Sequence, residues 1–263
     1  MRRFQTQFSL LISVLILSGF SGCISDEVIF GDNDHGIPGG LVMACLDSSK
    51  YTELVIEVDF ESGYQPKSSS TDLLKQRLEE VCDKPDGVII TFTETVFGNQ
   101  GTWTDDDVRS YGWEHKENQP QTSSTLHWQI IFPSGKYSED SVLGVAVDAS
   151  TIAIFGDSVE EAKGPIFGRP SAEEVEKSVI VHEVGHLLGL VNIVYESLYD
   201  HEDADHPNHS NNEDSVMYWA IESTSIGSII SGELPDEFDE WDLQDMKDMK
   251  TGKVEVNYQL WTP

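Results

Sequence analysis

The sequence predicts an α/β (α+β) fold: helices packed on a mixed, mostly parallel sheet. Two observations carry this. Tyr51–Phe60, Ser70–Cys82 and Gly87–Val96 read strand, helix, strand, and such a unit closes most simply as a parallel pair with a helical crossover. Further on, Ala172–Leu190 is a long apolar helical run, able to form the layer that covers a sheet.

The elements follow in order. Tyr51–Phe60 (YTELVIEVDF) alternates apolar and polar residues, a strand pattern. Ser70–Cys82 places Leu73, Leu74, Leu78 and Val81 at helical spacing, with Ser70 or Thr71 as cap. Gly87–Val96 (GVIITFTETV) is the second strand. Thr102–Tyr111 forms a short helix, with Asp105 to Asp107 at its positive end. Thr125–Phe132 (TLHWQIIF) is a strand, and Val142–Val147 and Thr151–Phe155 are two short strands around a turn. Pro170 and Ser171 start the long helix. A last helix runs from about Pro235 to Met249, with Phe238, Trp241, Leu243, Met246 and Met249 on its apolar side. The segment between Val191 and Asp214 is long, polar and rich in histidine. A loop of that length in a compact domain is expected to have a function or to bind what orders it.

The 263 residues suit one domain with long loops, and a 38% hydrophobic fraction is enough for a core. Asp and Glu outnumber Lys and Arg 47 to 16, a formal charge of −31 that repels phosphate backbones and argues against nucleic acid as a partner. The acids are spread along the chain, which fits general solvation better than selection of a basic substrate.

At the start, Arg2 and Arg3 precede an apolar run, Leu10–Leu17, too short for a comfortable membrane span. Phe20-Ser21-Gly22-Cys23 resembles the lipobox of prokaryotic lipoproteins. The resemblance implies cleavage before Cys23, lipidation of its thiol and tethering at the outer face of a membrane; an ordinary secretory peptide is the alternative. Residues 1–22 are thus expected to be a signal peptide, 23–45 a flexible tether and 46–263 the folded domain. Export permits one disulfide between Cys45 and Cys82.

His182-Glu183-Val184-Gly185-His186 carries the chemistry. Residues four apart share one helix face, so both imidazoles can reach one ion, and Glu183 lies beside them without being required as a ligand. A zinc ion there acidifies water and polarises a carbonyl, while Glu183 takes and returns the proton. The chance alternative is weakened by the setting: in the apolar run VIVHEVGHLLGL an unpartnered His pair and Glu would be costly.

His182–Gly189 reads H-E-x-x-H-x-x-G and resembles the opening of the metzincin signature, a family of zinc metallopeptidases. The resemblance implies that Gly189 breaks the helix so the chain can turn back. Ser215-Val216-Met217-Tyr218 looks like the family's methionine turn, with Met217 as an apolar floor. The implied architecture is a zincin fold with an active-site helix, Met-turn and C-terminal helix. The implied activity is a zinc endopeptidase with Glu183 as catalytic base, acting on peptide or protein substrates; the N-terminal signal sets the expected location outside the cytoplasm, and a monomer is expected.

Two features depart from the family. The usual third-ligand position holds Asn192, a weak zinc ligand. His209-Ser210 to Ser215-Val216-Met217 is similar in spacing to the archaemetzincin branch, with Ser at both Cys positions. That implies His209 as third ligand beside His182 and His186, and no second metal held by those cysteines. His206, His201 and Asn192 stay open as alternatives. A gluzincin-type site using Glu202 or Glu213 is disfavoured by Gly189 and Met217. Asp200, Glu202, Asp203 and Asp205 read mainly as a solvated acidic loop, and Tyr218 as core packing beside Trp219. The family's substrate-pairing edge strand would be Thr151–Phe155. A zinc-dependent amidase or aminopeptidase, or an inactive zinc-containing surface binding protein, are the competing functions.

Overall fold

The computed structural model describes residues 35–98, 101–163, 170–224, 226 and 233–263. The expected signal peptide, residues 1–22, and Cys23 lie outside them.

The main sheet is built of β1 (Glu53–Phe60), β2 (Gly87–Glu94), β5 (Thr125–Phe132), β7 (Gly144–Ala146) and β8 (Thr151–Ile154), in the order β2-β1-β5-β8-β7. The short β4 (Gln121–Thr122) joins β5 antiparallel. The pairs β1–β2, β1–β5 and β5–β8 are parallel, and β7–β8 is antiparallel. A small second pair, β3 (Thr102–Trp103) with β6 (Lys136–Tyr137), is also parallel. The mostly parallel sheet with covering helices is the fold class expected from the sequence.

Strand periodicity sorts side chains to two faces. Leu126, Trp128, Ile130 and Phe132 of β5 and Ile152 and Ile154 of β8 enter the main core. There they meet α2 (Ser68–Val81) and α5 (Ala172–Leu187), with α4 (Gly156–Ala162) packed against α5. Ile131 and Ala153 face a smaller cluster with Phe97, Trp103, Val108 and Phe155, next to α3 (Asp105–His115).

Ends of elements move for local reasons. The third helix begins at Asp105 because Thr104 makes a reciprocal capping box with Asp107. The second begins at Ser68 without a side-chain cap; the carboxylate of Glu176 on α5 accepts instead from the Lys67 amide at 2.7 Å. The last helix, α6 (Glu240–Lys250), starts at a capping box of Asp239 with Asp242, not at Pro235. Its expected apolar side is also corrected. Trp241 and Leu243 are exposed, whereas Asp242, Asp245, Met246, Asp248 and Met249 are buried.

Two further expectations change. Thr151–Ile154 is not an edge strand: it lies between β5 and β7, and Gly144–Ala146 forms the edge. Within 23–45, the residues from 35 onward are no tether. The first helix, α1 (Val42–Leu46), is wholly buried, and the Gly39 and Gly40 carbonyls accept from Gln259 Nε2 and the Leu260 amide. Apolar Leu41–Leu46 costs more in water than its ordering does, so the domain starts earlier than its acidic lead-in suggests.

Cys45 and Cys82 form a disulfide between the ends of α1 and α2, with Cα atoms 4.9 Å apart. It closes a loop of sequence separation 37. Its reduction is expected to lower stability by about 2–4 kcal/mol, measured by urea unfolding with and without reductant. Among the described residues no helix is long and apolar enough to cross a membrane.

Candidate metal centre

Helix α5 presents the site. A capping box between Ser171 and Glu174 starts it, and its residues from Val179 to Leu187 are all buried. His182 and His186 sit one turn apart on one face, their rings perpendicular with centroids 4.8 Å apart. The helix ends at Leu187, and Gly189 takes a left-handed φ of 74°. A Cβ at Gly189 would also lie 2.7 Å from the Val194 side chain, and one at Gly39 would lie 2.6 Å from the Gly189 Cα. Both the turn and the close passage of the 36–46 segment therefore require glycine here.

After that turn the loop is organised by Asn192, which also has positive φ, 66°. Its amide donates to Glu202 at 2.6 Å, its oxygen accepts from the Ser197 amide, and Glu202 in turn accepts from the Asn208 amide. Asn192 and Glu202 are thus loop struts and stand apart from the histidine pair. The loop delivers His209. Its ring centroid lies 5.3 Å from that of His182 and 5.2 Å from that of His186. The backbone on either side is pinned: Asp203 N donates to the His209 carbonyl and Ser210 N to the Met217 carbonyl, both at 2.8 Å.

The other histidines point elsewhere. His206 stacks on Trp219 at 4.1 Å and meets Asp203. His201 meets Asp245. Tyr218 is half-buried and rests against Trp219.

One residue was missed at the level of sequence. Glu222 ends a 3₁₀ turn (Trp219–Glu222), and its Oε2 lies 3.6 Å from His209 Nε2 and 4.0 Å from His182 Nε2. No local pattern marks it. It arrives because the Leu143 amide next to β7 donates to the Glu222 carbonyl and Val142 bridges Ser223.

One atom from each of His182, His186, His209 and Glu222 falls within 4.8 Å of the others, and all four residues are buried. The donor set, three imidazoles and a carboxylate, suits zinc. Two observations test the fit. Nε2 of His186, Nε2 of His209 and Oε2 of Glu222 are buried with no hydrogen-bond partner, a costly arrangement unless something is held between them. In addition, Nδ1 of His182 donates to the Val216 carbonyl at 2.7 Å and Nδ1 of His209 to the Pro207 carbonyl at 3.0 Å. Those bonds select the tautomer whose Nε2 lone pair faces the centre, as in metal-ligating histidines.

Burial also sets the protonation. It pushes His182 down to about 4 and His209 to about 3, so both rings stay neutral and able to ligate well below pH 7. It lifts the Glu222 carboxyl to about 8 and the wholly buried Glu183 carboxyl well above the usual range. A cation between these groups would draw both carboxyls back toward ionisation.

Glu183 is positioned by what is missing beside it. A Cβ on Gly144 of β7 would lie 2.7–3.0 Å from the Glu183 Cγ, Oε1 and Cδ. Gly144→Ala is expected to displace the carboxylate, cutting any turnover at least tenfold with the metal retained. Steady-state kinetics beside metal analysis checks this. Glu222→Gln is expected to weaken zinc binding about 10–100-fold in competition with a chromophoric chelator.

A search of solved structures finds the crystal structure of archaemetzincin from Methanopyrus kandleri. Identity is 13%, the TM-score is 0.49, and the alignment covers 74% of this chain and 94% of that chain. At that level of likeness the chemistry rests on the residues themselves. No protein-family model matches the sequence, and no curated protein matches it.

Proposed function

We propose that this chain is a zinc-dependent endopeptidase of the metzincin type, with His182, His186 and His209 as metal ligands and Glu183 as the catalytic base. The observation that carries the reading is the convergence of three buried imidazoles, two with Nδ1 tied to a backbone carbonyl, next to the buried Glu183 carboxyl on the helix that bears His182 and His186.

A bound zinc ion would supply Lewis acidity, polarising the scissile carbonyl and acidifying the attacking water. Glu183 takes the proton from that water and passes it to the departing amide nitrogen. His182 and His209 are held in orientation by Val216 and Pro207, so the ligands need little rearrangement. Met217 forms the floor: it is wholly buried, and a Cβ on Gly185 would lie 2.2 Å from its Sδ. The edge strand next to Glu183 is β7, so the part in substrate pairing first assigned to Thr151–Phe155 passes to Gly144–Ala146.

The substrate is an exposed peptide segment of another protein. The chain works outside the cytoplasm, attached to the outer face of a membrane through lipidated Cys23. Arg2, Arg3, the apolar Leu10–Leu17 run and the small residues before Cys23 support this placement.

The test is metal analysis of the purified protein together with cleavage of an unstructured, casein-like substrate. Cleavage that stops with chelator and returns with zinc is the expected result. A protein that binds zinc but cuts only short amides or N-terminal residues would replace this reading with an amidase or aminopeptidase. A protein whose His182–His186–His209 cluster takes up no zinc would end it.

A further inference from the structure

A second group of metal-ligating side chains stands beside the Met217 turn, separate from the one above. His201, Asp239 and Asp242 each bring a ligand atom within 4.8 Å of the others. His201 and Asp242 are buried, at 1% and 0% exposure.

The hydrogen bonds leave two atoms over. His201 Nε2 lies 2.9 Å from Asp245 Oδ2 and donates there; in the neutral ring Nδ1 then keeps its lone pair. That Nδ1 is buried without a partner. Asp242 Oδ2 accepts from Ser215 Oγ at 2.8 Å and from the Asp239 amide, while Asp242 Oδ1 is buried without a partner. Carboxylate, imidazole and an unfilled ring nitrogen in line is how proteins orient a metal-binding histidine.

The charge count agrees. Asp239, Asp242 and Asp245 are bonded to Tyr195, Ser197, His201, Asn212, Ser215 and backbone amides. Among the described residues no lysine or arginine forms a hydrogen bond or ion pair with these three. Three carboxylates meeting one imidazole in a largely buried place call for further positive charge.

We propose that His201 Nδ1, Asp242 and Asp239 hold a second divalent cation, structural in role. An imidazole with two carboxylates suits zinc or manganese and disfavours calcium and magnesium, which prefer oxygen alone. The ion would tie the His-rich loop to the start of α6. That loop is closed on itself by the Asn211 amide donating to the His201 carbonyl at 2.8 Å, so the same ion steadies the segment that delivers His209.

Metal counting after exhaustive dialysis tests the proposal, because a surface of charge −31 collects cations loosely. Wild type is expected to retain two ions, His186→Ala one, Asp242→Asn one, and the double variant none. Asn keeps the shape of Asp242, and circular dichroism checks its folding. Should Asp242→Asn fail to fold, His186→Ala decides alone: one tightly held ion supports the site and none overturns it. Two ions persisting in folded Asp242→Asn also overturn it. A single wild-type ion lost in His186→Ala, with no second taken up from excess zinc or manganese, does the same; protons then neutralise the cluster. A single ion lost in Asp242→Asn but kept in His186→Ala supports this site while removing the first.

Discussion

Replacing Glu183 by glutamine is expected to leave the zinc content unchanged and to lower peptide hydrolysis by roughly 10²–10⁴-fold. The substitution keeps shape and volume at a fully buried position, so the helix and the neighbouring ligands His182 and His186 should stay in place. Glu183 is not among the four groups whose atoms converge, and metal affinity should therefore be nearly indifferent to it. What is lost is a proton acceptor. An amide cannot take a proton from water at neutral pH, whereas a carboxyl whose ionisation burial resists is suited to hold and return one. Kinetics and metal analysis on one preparation separate the two effects. A variant that cleaves at the wild-type rate would remove Glu183 from the chemistry; one that loses zinc in parallel would make it a ligand instead.

Gly185→Ala is expected to damage both stability and metal binding, although it lies between the ligands and alters none. Alanine should favour the helix by about 1 kcal/mol. Against that, its Cβ would lie 2.2 Å from Met217 Sδ and 3.3 Å from Phe238 in a packed core, and overpacking of this kind costs typically 1–3 kcal/mol or more. The clash is severe enough for packing to outweigh propensity. Met217 cannot move alone. Its carbonyl accepts from Ser210, beside His209, and its neighbour Val216 accepts from His182 Nδ1. A displaced turn therefore disturbs two ligands together. Urea unfolding is expected to show a net loss of about 1–2 kcal/mol, and zinc affinity should fall at least tenfold. Unchanged affinity with equal or higher stability would mean that the turn repacks freely and does not support the site.

The elements legible in the sequence are those whose cause is short-range. Thr125–Phe132 is a strand over its full expected span, since a short, mostly apolar run is a local pattern; every residue after Thr125 is buried. The helix bearing His182, Glu183 and His186 starts at its expected cap for the same reason. Where a boundary slipped, a distant partner intervened: Glu176 holds the start of α2, across 109 residues. The acidic face of α6 defeated a reading by apolar spacing because Asp242 and Asp245 are buried by partners on the His-rich loop and the Met217 turn, Tyr195, Ser197, His201 and Ser215.

Local pattern in the chain was enough for the parallel α/β architecture, the pair of imidazoles one turn apart and the glycine that ends their helix. Each follows from helix or strand geometry over a few residues. Long-range contacts chose which loop histidine joins the pair, brought Glu222 with it, set Cys45 against Cys82 and made β7 the sheet edge. His201, His206 and His209 are chemically alike and close in sequence. They are told apart by the Asn192–Glu202–Asn208 struts and by the bond from Ser210 to Met217. Such contacts join segments whose separation no local pattern records, so their choice belongs to the folded chain.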